Sequence, residues 1–284
     1  MGLSTSQLEA FAAVAKAGNF SKAAKHLHIT QSALSQRILN LENELKTALI
    51  IRDPTGLRLS SAGNELLRYC QIKESLETDV LKKISSSENE KSGIIRIAGF
   101  SSIMRSVIIP SLNELICSNP NIQIELFIRE VRELPNMLTS NEVDFIITSQ
   151  PKFRQEIESH DLGIEENVLV VGKINKDKNI FLDHDPEDPT TKEFIDINPS
   201  LQKKFRRRYL DEVYAILDGV KFGWGKAILP KHLIYKDHDL KTIKSFKSLK
   251  NPVYLQYFHQ PYYSRLHQTV IKEICTKAPK LLKV

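Results

Sequence analysis

Apolar residues recur at helical spacing in three successive stretches at the start of the chain. Leu8, Phe11 and Val14 share one stripe that ends at Gly18, and Ser4 followed by Gln7 has the spacing of a capping box. A second, short helix is predicted from about Ser21, with Ala23 and Ala24 small enough for a close helix crossing. His28 and Ile29 form the turn. Thr30 then caps a third helix with Leu34, Ile38 and Leu41 inward and Gln31, Ser32, Ser35 and Gln36 outward, a face read as free of large apolar residues.

Short strands are predicted at 49–52 and 57–59 around Pro54-Thr55-Gly56. From Ser60 a long helix follows, in which Leu66, Tyr69 or Cys70, Leu76, Val80 and Ile84 recur at threes and fours over roughly six turns. One small domain cannot bury such a helix. Its stripe fits the same helix of a second subunit, with Lys73 interrupting the seam, or alternatively the C-terminal domain of its own chain. The polar residues 85–93 read as a hinge.

Beyond the hinge the pattern alternates between strands (94–98, 122–128, 143–148) and helices (110–117, 134–138), which indicates a mainly parallel sheet. A second subdomain begins near Leu162, with a strand at 168–171, a helix at 209–217 and a strand at 227–229. Residues 253–259 return as a strand, and a helix at 264–275 completes the first subdomain. Ligands of such sheets bind at the carboxyl ends of the strands. The candidate ligand-contacting residues are therefore Ser101 and Ser102 after the first strand, Glu130 after the second and Ser149 and Gln150 after the third. Trp224, in the turn Gly223-Trp224-Gly225, is a further candidate to line the cleft. Ser101 and Ser102 lead into a helix whose amides suit a carboxylate or phosphate.

Composition changes this picture little. The 284 residues have an ordinary globular balance with no low-complexity tract, and the net charge of +6 favours a polyanionic partner only weakly. Cys70, Cys117 and Cys275 lie too far apart for a zinc motif and are expected to be reduced thiols. No signal peptide or membrane span can be drawn, no cofactor is expected, and the absence of a GxSxG elbow argues against a hydrolase. Lys203–Arg208 reads as a solvated face or part of a subunit contact rather than as a second nucleic-acid patch, and the acidic segment Asp183–Asp188 as a loop rather than as a metal site.

Two helices joined by a tight turn, the second presenting Gln and Ser near its start, suit a reader of the DNA major groove. Gln can bond adenine bidentately, and arginines on a following hairpin would flank the phosphates. Residues 3–70 resemble the DNA-binding domain of LysR-type transcriptional regulators through LSTSQLEAFAAVAKAGNFSKAAKHLHITQSALSQRILNLENEL and LIIRDPTGLRLSSAG. The resemblance implies DNA contacts from Ser21, Gln31, Ser32, Ser35, Gln36 and Arg37, with Arg52, Thr55 and Arg58 on the wing. Ser32 stands where the family often has Pro, and Ile50-Ile51 replaces a frequent Phe-Glu.

The later layout, with VKFGWGKAILP at 220–230, is similar to the family's effector domain, which has the fold of periplasmic solute-binding proteins. The expected fold is thus an all-α winged helix-turn-helix (1–60), a linker and dimerisation helix with hinge (61–91), and a two-lobed α/β effector domain (92–284). Lobe I takes about 92–161 and 262–284, lobe II about 162–261. The expected function is a bacterial, cytoplasmic, sequence-specific transcription regulator and not an enzyme. Its expected partners are double-stranded promoter DNA, a small metabolite such as an amino acid or organic acid, its own copies in a dimer or tetramer, and RNA polymerase. An architectural DNA binder with an empty cleft, or a solute-binding module with a vestigial head, are the competing readings.

Overall fold

The computed structural model describes residues 2–53, 56–84, 91–174, 179–201, 205–235 and 237–283, without the side chains of residues 52, 53, 82 and 83. It divides into two compact units. One holds Met1–Lys91 with Asn136–Val143 and Gln260–Gln268; the other holds Ser92–Pro135, Asp144–His259 and Thr269–Val284. Most of the polar segment 85–93, and Thr55 on the wing, lie outside the described residues.

In the first unit α1 (Thr5–Ala17), α2 (Phe20–His26) and α3 (Gln31–Leu45) lead to a hairpin, β1 (Ile50–Asp53) and β2 (Gly56–Leu59), and then to α4 (Ser61–Ile84). Leu8, Phe11, Val14, Ala23, Ala24, Leu34, Ile38 and Leu41 form one core, closed by Leu49 and Leu66. Ser4 sits at the N-cap of α1, but its hydroxyl pairs with that of Ser6 and caps no amide, so the capping box does not form. Asn19 caps α2 through its Oδ1, so that the helix starts at Phe20, close to the predicted Ser21, and Thr30 caps α3 as its position predicts. His28 takes the left-handed conformation that the tight turn requires (φ 54°). Glu42 on α3 accepts the amides of Leu49 and Ile50 at 2.7 and 3.1 Å, which fixes the hairpin to the third helix. At Gly63 a Cβ would stand 2.2 Å from the Leu49 carbonyl oxygen, so only glycine lets α4 start this close to the hairpin.

Two faces of α4 do different things. On one face the Asn141 side chain donates to the Asn64 carbonyl (2.7 Å) and accepts from Arg68, while Asp79 accepts from the Tyr262 hydroxyl and the Arg265 amide (2.5 and 3.0 Å). Burial, and next to it the Asp79 carboxylate, pushes the Tyr262 phenol up to about 12. The apolar stripe lies on another face: Tyr69, Leu76, Val80 and Ile84 are 43–76 % exposed, with Lys73 paired to Glu77 among them.

From residue 93 the elements are β3 (Gly93–Gly99), α5 (Ser101–Ile103), a π-helical turn (Met104–Ile108), α6 (Ile109–Ser118), β4 (Ile122–Ile128), α7 (Leu134–Thr139), β5 (Phe145–Thr148), β6 (Ile157–Gly172) and β7 (Ile180–Asp183). There follow α8 (Thr190–Asp196), β8 (Arg206–Tyr209), α9 (Val213–Lys221), β9 (Ala227–Pro230), α10 (Lys231–Ile234), β10 (Leu240–Thr242), β11 (Leu249–Phe258) and α11 (Arg265–Leu282). The large sheet runs β10-β6-β11-β5-β3-β4, with β9 also on β6, and only the β3–β4 and β3–β5 pairs are parallel. The expectation of a mainly parallel sheet holds for that corner alone, because the long strands β6 and β11 pair antiparallel with each other and with their neighbours. Tyr209, expected to start a helix, ends β8 instead, and the helix begins at Val213 with Glu212 as its cap.

The segment 183–188 is organised around a cation from its own chain. Arg207 bonds the buried Asp183 carboxylate through Nε and the carbonyls of Pro186, Asp185 and Asp188 through its terminal nitrogens. Asp185 and Asp188 accept backbone amides. The basic run is thus partly internal; Lys203 and Lys204 lie outside the described residues. Among the described residues no group of three or more His, Cys, Asp or Glu could hold a metal ion, and no helix is long and apolar enough to cross a membrane. Cys70, Cys117 and Cys275 are free thiols, and burial pushes Cys70 up to about 11.

Candidate nucleic-acid interface and effector site

The outer face of α3 is built by the burial of the other. With Leu34, Ile38 and Leu41 in the core, the helical period turns Ser32, Gln36, Leu39, Asn40 and Asn43 outward, with Gln31 and Ser35 on its flank. Gln31, Ser32 and Gln36 are exposed, and Ser35 and Arg37 half-buried. The Ser32 hydroxyl lies 3.0 Å from that of the cap Thr30. Gln36 donates its Nε2 to Asn40 Oδ1 at 2.8 Å. This face carries one large apolar side chain after all: Leu39 is 48 % exposed, at a position the i, i+4, i+7 reading of the core passed over. Ser21 is exposed in the first turn of α2, its amide bonded to Asn19. Arg58 is exposed on β2 opposite Ile51, and Arg52 pairs with Leu57 on β1, its side chain outside the described residues.

The second site lies where β3 ends. Ser101 and Ser102 open the helical run 101–118, and the Gly99–Ile147 pairing sets them beside the end of β5. Both hydroxyls are donated to carboxylates that follow much later in the chain: Ser101 to Glu212 at 2.9 Å and Ser102 to Glu165 at 2.8 Å. Glu212 also accepts the amides of Tyr214 and Ala215, so one carboxylate caps α9 and holds Ser101. Glu165 accepts from His232 Nε2 at 3.0 Å, and His232 Nδ1 lies 2.7 Å from the Ser106 hydroxyl. The side chains of this Glu165–His232 pair are 6 % and 2 % exposed. The π-helical turn changes the phase of the run, and Arg105 on it lies 3.9 Å over the Tyr214 ring. Burial pushes the Tyr214 phenol up to about 12, and its hydroxyl is buried without a partner among the described residues.

The other sequence-predicted residues stand in different places. Gln150 is exposed beyond β5; its amide bonds Thr148 Oγ1 and its carbonyl accepts from the fully buried Gln256, while Ser149 is half-buried. Glu130 is exposed beyond β4, in a turn closed by Glu133, and Trp224 is 49 % exposed with its ring 6.2 Å from Phe222. The structure thus brings Ser101 and Ser102 together with four residues not foreseen, Glu165, Glu212, His232 and Arg105. Among the described residues, Glu130 bonds within its own turn, and Trp224 meets Phe222 and, through its carbonyl, Arg208, rather than that group.

The chain matches two family models, "Bacterial regulatory helix-turn-helix protein, lysR family" over residues 5–64 and "LysR substrate binding domain" over residues 88–276. It is 29 % identical to the HTH-type transcriptional regulator CzcR of Bacillus cereus over 242 residues, 80 % of each chain. Its fold is similar to ArgP of Mycobacterium tuberculosis (TM-score 0.79, 20 % identity, 98 % of each chain). It is also similar to full-length LysG of Corynebacterium glutamicum with bound effector Arg (TM-score 0.76, 17 % identity, 98 % of this chain and 99 % of that one).

Proposed function

Since the chain belongs to the lysR family of bacterial regulatory helix-turn-helix proteins, and is a DNA-binding transcription regulator with an effector-binding domain and not an enzyme, we propose that its effector is an amino acid received at Ser101, Ser102, Arg105 and Glu212. The observation that carries this reading is the mixture of charge at the head of the 101–118 helix. Hydroxyls and a guanidinium suit a carboxylate, whereas Glu212 suits an ammonium group. An organic acid without an amine would meet Glu165 and Glu212 as like charges. The fold neighbour LysG carries bound Arg, which is an amino acid with both groups.

The regulator works in the cytoplasm on promoter DNA, with RNA polymerase as a further partner. A ligand switches it only by binding one arrangement of the protein better than the other. In a gel-shift titration of one bound promoter fragment, an amino acid is expected to change the affinity or mobility of the complex, and Ser102→Ala to blunt that response with unliganded binding nearly intact. A response to dicarboxylates alone would contradict the reading.

The exposed stripe Tyr69, Leu76, Val80 and Ile84 supports self-association through α4, since two-fold symmetry lets two α3 helices read both halves of an inverted repeat. Two such dimers would make the tetramer. Leu76→Asp, at an exposed position, is expected to leave the fold intact and to give monomers in analytical ultracentrifugation. Unchanged assembly would show that another surface joins the subunits.

A further inference from the structure

We infer that the second and third turns of α3 form a reading unit for an A·T pair, in which Asn40 positions Gln36 for adenine and Leu39 covers a thymine methyl. The inference rests on the DNA-binding reading above. Gln36 and Asn40 are one helical turn apart, both exposed on the outer face, and joined by the 2.8 Å bond from Gln36 Nε2 to Asn40 Oδ1. An amide nitrogen carries two hydrogens, so Gln36 keeps one of them and its Oε1 for another partner. That remaining donor and acceptor match the N7 acceptor and N6 donor of adenine. The bond to Asn40 restricts the Gln36 rotamer before DNA arrives, which lessens the ordering that recognition would otherwise require. Ser32, by contrast, already shares its hydroxyl with Thr30.

Leu39 is the second, independent observation. It lies three residues after Gln36 on the same face, 48 % exposed, with the core satisfied without it. The major-groove edges of the base pairs offer such a side chain one apolar feature, the thymine C5-methyl group. Asn40 is thus a positioning residue, and Gln36 and Leu39 are the residues that touch bases.

The test uses the full chain and the operator found by footprinting. Asn40→Ala is expected to weaken operator binding about tenfold, leave competitor DNA and the salt slope unchanged, and add nothing to Gln36→Ala. Asn40→Asp keeps the acceptor for Gln36, so it should retain the operator-to-competitor ratio while the added charge weakens both. One thymine of each half-site replaced by uracil should weaken the wild-type protein but not Leu39→Ala. Equal loss on operator and competitor with Asn40→Ala would make Asn40 a backbone contact and overturn the inference, as would unchanged operator affinity. A wild-type chain that prefers no fragment would overturn the regulator reading itself.

Discussion

Replacing Glu165 by alanine is expected to destabilise the effector-binding unit by about 3–5 kcal/mol. The carboxylate is the acceptor for both Ser102 and His232, and both side chains are buried. Its removal leaves His232 Nε2 and the Ser102 hydroxyl without their acceptor in a buried site, while Nδ1 keeps Ser106, and this desolvation is the source of the loss. For a unit of this size the change corresponds to a fall of roughly 6–20 °C in the melting temperature. Glu165→Gln, which keeps an acceptor oxygen, should cost less. Thermal unfolding of the full chain checks both. A fall of a degree or two for the alanine variant would mean that the cluster is hydrated and contributes little.

A loss of similar size is expected at the other end of the chain from Phe11→Ala. Phe11 is fully buried in the core made by α1, α2 and α3, and removing its ring should cost about 3–5 kcal/mol through lost burial and the cavity left behind. Because that core sets which face of α3 turns outward, operator binding should disappear. The Ser101–Glu212 site belongs to the other compact unit and should still bind its ligand. Gel shift and calorimetry on the same preparation separate the two. Loss of ligand binding together with DNA binding would show that the two units unfold as one.

The contrast between these two sites explains how far the sequence could be read. The helix-turn-helix is local: its caps, turn and apolar period lie within about forty residues, so Leu34, Ile38 and Leu41 point the way to Gln31 and Gln36. The miss there was one of phase, with Leu39 turned outside. The proposed effector site is assembled from positions 63 to 126 residues apart, and spacing says nothing about such pairs. Ser101 and Ser102 were legible because they head a helix after a strand; Glu212 and Glu165 were not.

Glu165 was further concealed by the backbone. Gly163, at φ +121°, sits where the pairing of β6 with β11 shifts register, so the inward alternation changes phase there. Ile164 is consequently exposed and Glu165 buried, the reverse of what their polarity suggests. In the same way, the Asp183–Asp188 run looks acidic in sequence and becomes a cradle for Arg207 only when β7 and β8 pair.

On the proposed function, α3 gives this chain a preferred DNA sequence, read twice by a symmetric assembly. Selection of bound genomic fragments by the purified protein in excess competitor, with footprinting of the best fragment, tests it most directly. Protection of an inverted repeat beside a promoter, its half-sites about one helical turn apart, is the predicted result; uniform enrichment of fragments with no protected site would contradict it.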